Sequence, residues 1–161
     1  MSLDIEQHEA FQRREWAAER VGTGLLVLFV VAGLLGLIAV GPLSWTTRSS
    51  GSGTVGVEFD RIAFHESEDD LTLVLGPGAA VDGTVTVRIA GTWPGAADVQ
   101  GISPEPSEQR AVPGGMVWVI PVPDRGETEV TVAFRPQEYG SQDARIEVRD
   151  ESVSFSQFVL P

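Results

Sequence analysis

The longest apolar segment of the chain lies near its N-terminus. Between Arg20 and Arg48 the sequence has 27 residues without an ionisable side chain. A helix needs about 20 mainly apolar residues to cross the ~30 Å hydrocarbon core of a bilayer, and Val21 to Val40 supply them. A surface helix of a soluble protein keeps a polar face, whereas this segment is apolar on every face. The pattern predicts a transmembrane helix, with residues 21–45 forming the helix and its outer interface.

A cleaved signal peptide and a buried core helix are the alternatives to an anchor. Signal cores are about 7–15 residues long and are followed by small residues at the cleavage site. Here the apolar run is longer and ends in "IAVGPLSW", with Pro42 and Trp45 where small residues would be expected. An uncleaved anchor is therefore the preferred interpretation.

The residues that flank the predicted helix indicate its orientation. Positive charges concentrate on the cytoplasmic side of a membrane helix, and three arginines precede the helix closely whereas one follows it: Arg13, Arg14 and Arg20, against Arg48. Trp16 and Trp45 bracket the helix, as interfacial aromatic rings do. We expect a single-pass protein of the cytoplasmic membrane, with a helical cytoplasmic arm at residues 1–20 and the C-terminal part outside.

Small residues within the predicted span suggest a helix-packing surface. Ala32 and Gly36 are four residues apart, and Gly33 adjoins them. Small residues at this spacing let two helices approach closely in lipid. Ala32, Gly33 and Gly36 are therefore candidates for self-association or for packing against another integral membrane protein.

The periodicity changes after the apolar segment. The stretch "TTRSSGSG", residues 46–53, is rich in Ser, Thr and Gly and predicts a flexible linker. From residue 54 to 161 apolar and polar residues alternate in several short runs, of which "TVTVRI" and "EVTVAF" are the clearest, and turn residues separate them. Alternation of period two is typical of half-buried strands. Seven or eight such strands predict an all-β immunoglobulin-like sandwich, preceded by the single transmembrane helix.

Two segments of this predicted domain are candidates for contacts with other molecules. Residues 91–115 form the longest stretch without a clear period, and Trp93 within it is either an exposed contact residue or a cover for the core. Near the C-terminus Val153 and Phe155 share one parity, whereas Phe158 and Leu160 share the other. A change of face near Gln157, such as a β-bulge, would explain this, and Phe158 and Leu160 are a candidate C-terminal contact.

The run "HESEDD", His65 to Asp70, combines a histidine with carboxylates. Carboxylate oxygens are natural calcium ligands, but the spacing of a known calcium loop is absent. A hydrolytic triad needs a nucleophile beside a base, and no such motif accompanies His65. An acidic, solvated turn is the preferred interpretation, and the sequence predicts no catalytic residue, metal ligand or cofactor.

Composition narrows the possible partners. The chain has 161 residues, with 11 arginines, 23 acidic residues and no cysteine, for a net charge of −12. Nucleic-acid binding depends on clustered positive charge, so this balance argues against it. The lack of cysteine excludes disulfides and thiolate metal sites. The bilayer, and an integral membrane protein or a second copy of the chain, are the predicted partners.

The order of "GPLSW", "VGVEFDRIAF", "LTLVLGPG", "VTVAFRPQEYG" and the terminal "VSFSQFVLP" resembles that of small bacterial single-span membrane proteins with an extracytoplasmic β-domain. Some of these are associated with neighbouring YetF-like membrane proteins. The resemblance implies a bacterial cytoplasmic membrane and a membrane-protein partner, and it implies no catalytic residues. The preferred hypothesis is a non-enzymatic accessory or scaffold subunit. A tethered ligand- or ion-binding sensor is the alternative, and a membrane-anchored enzyme is third.

Overall fold

A computed structural model describes residues 9–34, 44–123 and 126–161. The chain divides into two compact units, Met1–Pro42 and Leu43–Pro161. The first contains helix α1, and the second contains a two-sheet domain.

Helix α1 runs without interruption from Glu9 to Leu34. Its 26 residues correspond to a length of about 39 Å. The section Glu15–Leu34 has a mean hydropathy of 1.7 and is long and apolar enough to cross a membrane. None of that section is buried, so side chains such as Leu25 and Phe29 are exposed. The predicted cytoplasmic arm and the predicted span therefore share one helix, and residues 1–8 and 35–40 of these predictions lie outside the described residues.

Eleven strands in the described residues form two sheets. The first sheet has five strands, which are in spatial order β1 Trp45–Ser49, β2 Val55–Asp60, β4 Asp69–Leu75, β9 Thr128–Pro136 and β6 Ala97–Ser103. The second has six, which are β3 Ile62–Phe64, β11 Glu151–Leu160, β10 Gly140–Val148, β5 Thr84–Gly91, β8 Gly115–Pro121 and β7 Glu108–Val112. Neighbouring strands are antiparallel except β3 and β11, which are parallel.

The core lies between the inward faces of the two sheets. In β5 and β9 every second side chain is apolar and buried, which places Val87 and Ile89 opposite the set that includes Val132 and Phe134. Trp118 on β8 is fully buried in the same cluster. Burial of one apolar face on each sheet is what holds such a sandwich together. The prediction of an all-β immunoglobulin-like sandwich preceded by one apolar helix is confirmed.

The predicted linker at residues 46–53 is wrong over its first half. Residues 45–49 form β1, which pairs with β2 from Trp45 opposite Asp60 to Ser49 opposite Gly56. An edge strand has a partner on one side only, and the inward positions of β1 are Thr46 and Arg48. The strand therefore lacks the apolar alternation by which a sequence reveals a strand, and the sandwich begins before residue 54.

The prediction of an irregular stretch at residues 91–115 is also wrong. A short helix, α2 Trp93–Ala96, follows β5, and β6 and β7 occupy most of the remainder. Both strands are sheet edges with largely exposed side chains. Their residues consequently show little of the apolar periodicity of central strands.

Candidate functional site

Trp93 is part of the core and is 1% exposed. Its ring meets Phe134 edge to face at a centroid distance of 4.9 Å, and it meets Phe155 at 6.1 Å. Gly95 and Ala96 donate backbone hydrogen bonds to the carbonyl of Thr92, which closes α2 and directs the indole inward. The contact-residue interpretation of Trp93 is wrong, and the alternative, a cover for the core, describes its position.

Strand β11 keeps one inward face along its whole length. Val153, Phe155, Gln157 and Val159 are buried, and Phe158 is 50% exposed. The pairing with β10 continues from Val148 opposite Glu151 to Gly140 opposite Val159 without a register shift. The predicted change of face is therefore wrong, because a buried glutamine occupies an inward position and a phenylalanine occupies an outward one.

The outward position of Phe158 creates an apolar surface at the edge of the second sheet. β3 pairs with the end of β11, with Ile62 opposite Phe158 and Phe64 opposite Leu160. Ala63 and Val159 point inward and are buried, so the side chains of their neighbours lie on the outer face. We call Ile62, Phe64, Phe158 and Leu160 the edge patch. Phe158 and Leu160 were predicted from sequence as a contact, and the structure places both of them here.

His65 lies next to the edge patch. Its backbone N–H donates to the carbonyl of Leu160 at 2.8 Å, and its ring stacks on Tyr139 at a centroid distance of 4.3 Å. Its Nε2 is 3.2 Å from the carbonyl oxygen of Gln137. Tyr139 is 60% exposed and extends the aromatic surface beyond the edge patch.

Two other members of the "HESEDD" run, Glu68 and Asp69, are held by separate partners. Glu68 pairs with Arg135, and Asp69 accepts a hydrogen bond from Gln157 at 2.8 Å. The described residues contain no group of three or more histidine and carboxylate side chains that could hold a metal ion. In the described residues the run therefore has a structural role at the start of β4.

Gln157 connects the two sheets through polar groups. Its Nε2 donates to Oδ2 of Asp69 at 2.8 Å and to the backbone carbonyl of Asp60 at 2.9 Å. Asp60 in turn accepts a hydrogen bond from the Ser44 hydroxyl at 3.0 Å. Burial raises the pKa of the Asp69 carboxyl to about 6. The backbone N–H of Asp70 lowers this pKa, the Asp60 carboxylate raises it, and the hydrogen bond from Gln157 lowers it.

A recess with a volume of about 410 Å³ lies between β1 and β11. We call it the arginine groove, because Arg48 and Arg61 line it together with Thr46, Ser154 and Ser156. Phe59 and Phe155 also line it, with ring centroids 4.7 Å apart. Nε of Arg61 donates a hydrogen bond to Oγ1 of Thr46, which holds one guanidinium against the lip formed by β1.

The groove exists because β3 covers only the end of β11. The pairing of these strands is confined to Phe158, Val159 and Leu160, so the preceding part of β11 is a sheet edge in the described structure. The N–H of Phe158 donates to the carbonyl of Arg61 at 2.8 Å on this side. Backbone groups alternate in direction along a strand, so the N–H groups of Ser154 and Ser156 face the same open side.

The remaining residues that were predicted from sequence belong mostly to α1. Ala32 is partly buried and Gly33 is exposed on the described helix, and Arg20 lies over the Trp16 ring at 4.8 Å from its centroid. Gly36 and the side chains of Arg13 and Arg14 lie outside the described residues. Trp45 is 57% exposed at the start of β1. Helix packing and interfacial anchoring by these residues stay predictions.

The arginine groove could not be recognised as a site from sequence patterns. Its residues come from four separate segments, and Arg48 lay within the predicted linker. One usable signal is that Arg48 and Arg61 flank the first long strand in a chain that otherwise has twice as many acids as arginines. The edge patch had a clearer signal, because "IAF" and "FVL" are apolar at positions that the core does not require.

Comparisons with known proteins show similarity of fold. No family model matches the chain, and no curated protein matches it. The cohesin module of a family 33 glycoside hydrolase from Clostridium perfringens has a TM-score of 0.45 at 11% identity, over 72% of this chain and 96% of that module. The CARDB domain of a Pyrococcus furiosus protein, solved with di-metal ions, has a TM-score of 0.44 at 10% identity, over 73% of this chain and 90% of that domain. For domains 4 and 5 of the S-layer protein SbsC the TM-score is 0.40 at 14% identity, over 73% of this chain and 47% of that one. At these values the similarities assign neither a family nor a function.

Proposed function

We propose that this chain is a membrane-anchored, non-enzymatic accessory or scaffold protein whose sandwich docks on a partner protein. The partner is another integral membrane protein or a second copy of the chain. The N-terminus is cytoplasmic and the sandwich is extracytoplasmic, in the cytoplasmic membrane of a bacterium.

The anchor is supported by the composition and exposure of α1. The section Glu15–Leu34 is apolar, and no part of it is buried against the described chain. A helix that is apolar on all faces is stable when another apolar medium surrounds it. The long, continuous helix and the lack of a small-residue cleavage motif favour an anchor over a removed signal. Ala32, Gly33 and Gly36 are the proposed packing surface within the membrane.

The single observation that carries the docking role is the edge patch. Four large apolar side chains lie on the outer face of one sheet corner, where a solvent-facing strand normally presents polar residues; Phe158 is half exposed and the other three are partly exposed. A contiguous apolar surface of this kind marks an interaction site more often than scattered single residues do. The patch lies partly on β3, which is a short edge strand. One side of β3 has no sheet neighbour in the described residues.

Site-specific crosslinking in native membranes tests this proposal. A photoreactive phenylalanine analogue replaces Phe158 in one variant and the exposed Gln109 of β7, at the opposite edge of the same sheet, in a control. We expect the Phe158 position to give one dominant adduct, with an integral membrane protein or with the chain itself. The Gln109 position should give no such adduct.

A second variant separates docking from unfolding. Phe158→Ser removes the most exposed ring of the edge patch but no inward side chain, so the sandwich should still fold. We expect it to lose co-purification of the crosslinked partner in mild detergent. Identical adducts from both positions, or a chain that is always alone and monomeric, would contradict the docking role.

A specific observation also favours a second candidate function, that of a ligand-binding sensor. The arginine groove is a polar recess in the size range of small-molecule sites. Ligand binding in this groove would be independent of the docking role.

A further inference from the structure

Two arginines of the sandwich differ from the others in their surroundings. Arg88, Arg110, Arg135 and Arg145 each lie within 4.0 Å of a glutamate oxygen. Arg149 donates to the carbonyl of Gly78. Arg48 and Arg61 have no carboxylate partner among the described residues, and both line the arginine groove. Two of the three described sandwich arginines without an ion pair, Arg48 and Arg61, thus lie in one place.

The same groove collects further hydrogen-bond donors. Thr46, Ser154 and Ser156 line it, and the edge of β11 directs the backbone N–H groups of both serines to this side. Arg61 uses its Nε for Thr46, which leaves its terminal nitrogens available. A guanidinium presents a planar set of donors that matches the oxygens of a carboxylate or phosphate.

The charge of the whole chain opposes unspecific binding of anions. The net charge is −12, so the surrounding field repels them. Asp143 is the one carboxylate that lines the groove in the described structure, and it forms no ion pair with either arginine. A pair of unmatched arginines in an acidic protein is therefore a local exception that favours an anionic ligand.

We propose that the arginine groove binds an oxyanion, a carboxylate or phosphate group carried on a compact, hydroxylated body. Arg48 and Arg61 bind the charged oxygens, and the Thr46 side chain together with the backbone N–H groups of Ser154 and Ser156 binds the polar remainder. The volume of about 410 Å³ accommodates a ligand of the size of a sugar acid or a glycerophosphate headgroup. The free ligand and a lipid headgroup share this chemistry. The assignment does not depend on the docking role of the edge patch.

Calorimetric titration of the full chain tests the groove. The protein is reconstituted in nanodiscs of phosphatidylcholine, and the probes are inorganic phosphate and glucuronate, with glucose as the neutral control. We expect saturable binding of at least one anion and none of glucose. Arg48→Gln and Arg61→Gln should each weaken that binding about fivefold or more.

Arg110→Gln is the matched control, because it removes the same charge from β7 at the far edge of the sheet. It should leave anion binding unchanged. The Arg48 side chain makes no hydrogen bond to the described residues, so its variant should keep the thermal unfolding temperature of the parent chain. Lack of a saturable response to both anions would overturn the proposal, as would an equal loss in Arg110→Gln.

Nanodiscs that contain phosphatidylglycerol identify the source of the ligand. If the groove takes a lipid headgroup, the apparent affinity for the soluble anion falls in these discs, and Arg48→Gln abolishes the difference. If the groove takes a free anion, the affinity is the same in both kinds of disc. Both results support an oxyanion site, and the titration of the arginine variants decides whether the site exists.

Discussion

The side-chain amide of Gln157 donates a hydrogen bond of 2.8 Å to the carboxylate of Asp69 across the interior of the sandwich. Gln157 is on β11 of the second sheet and Asp69 begins β4 of the first sheet. The same nitrogen also reaches the backbone carbonyl of Asp60. This polar connection lies between the edge patch and the arginine groove, since Phe158 and Ser156 are the neighbours of Gln157 in the chain.

Replacement of Gln157 by leucine should destabilise the sandwich by about 2 kcal/mol, because it leaves a half-buried carboxylate without its side-chain donor. Gln142→Leu is the matched control. Gln142 is the cross-strand neighbour of Gln157 and is also buried, but it has no carboxylate partner among the described residues. Thermal unfolding, followed through tryptophan fluorescence, to which the buried Trp93 and Trp118 contribute, should show the larger loss for Gln157→Leu. Equal losses would show that the bond to Asp69 contributes nothing.

The Asp69 carboxyl should give the sandwich a distinct pH dependence. Its pKa in the folded chain is about 6, above the ordinary value of 3.8, so the folded state binds the proton more tightly than the unfolded state does. This group therefore favours folding below pH 4, and its contribution is lost as the pH rises through 6. Asp69→Asn keeps an acceptor for Gln157 and removes the charge. The variant should unfold a few degrees above the parent at pH 8, and this advantage should disappear at pH 4.

Asp150→Asn is the control for the Asp69 prediction. Asp150 is exposed and does not contribute to the pKa shift of Asp69, so neutralising it removes the same charge without removing a buried one. Its unfolding temperature should stay close to that of the parent at both pH values. An advantage for Asp69→Asn that is equal at pH 4 and pH 8 would contradict the assigned role of burial.

Trp93 should be a stability residue and not a binding residue. Trp93→Ala removes a fully buried ring and should cost about 3–5 kcal/mol. Trp93→Phe retains an aromatic edge against Phe134 and removes an indole N–H that has no partner in the described structure, so it should cost less. Calorimetric unfolding gives both values. A Trp93→Phe chain that carries the photoreactive analogue at position 158 should give the same adduct as the chain that retains Trp93.

Asp143 should weaken anion binding in the arginine groove. Its carboxylate is exposed at the rim, and its backbone is fixed by a hydrogen bond from the N–H of Thr92 to its carbonyl. Asp143→Asn removes a like charge without a change of shape, so affinity for phosphate or glucuronate should rise about twofold or more. The exposed Asp150→Asn, outside the groove, is the control. Unchanged affinity in Asp143→Asn would mean that the anion binds elsewhere.

The central strands could be predicted from the sequence because every second residue in them is apolar and buried. Val85, Val87 and Ile89 on β5 are an example, and all three are buried. The edge strands could not be predicted in this way. β1 presents Thr46 and Arg48 inward, and β7 is almost wholly exposed, so neither strand has an apolar period.

The candidate sites include residues that break this alternation of buried apolar and exposed polar side chains. At the end of β11 a glutamine points inward because Asp69 and Asp60 offer it hydrogen-bond acceptors, and a phenylalanine points outward. Apolar character alone therefore assigned the wrong face to Phe158, and its role as a contact residue stays a prediction. Arg48 and Ser154 both line the groove although they are far apart in the sequence. Their proximity follows from the order of the strands in the sheets, which local periodicity does not reveal.

The proposed function places the sandwich outside the cytoplasmic membrane, and the lack of cysteine in the chain permits a direct measurement of this location. Two variants, Ser2→Cys and Glu105→Cys, are treated in intact cells with a membrane-impermeant maleimide. We expect Glu105→Cys to be labelled in intact cells, and Ser2→Cys to be present in the mature chain but labelled only after the membrane is opened. Labelling of Ser2→Cys in intact cells, protection of Glu105→Cys, or loss of Ser2→Cys from the mature chain would contradict the proposed location.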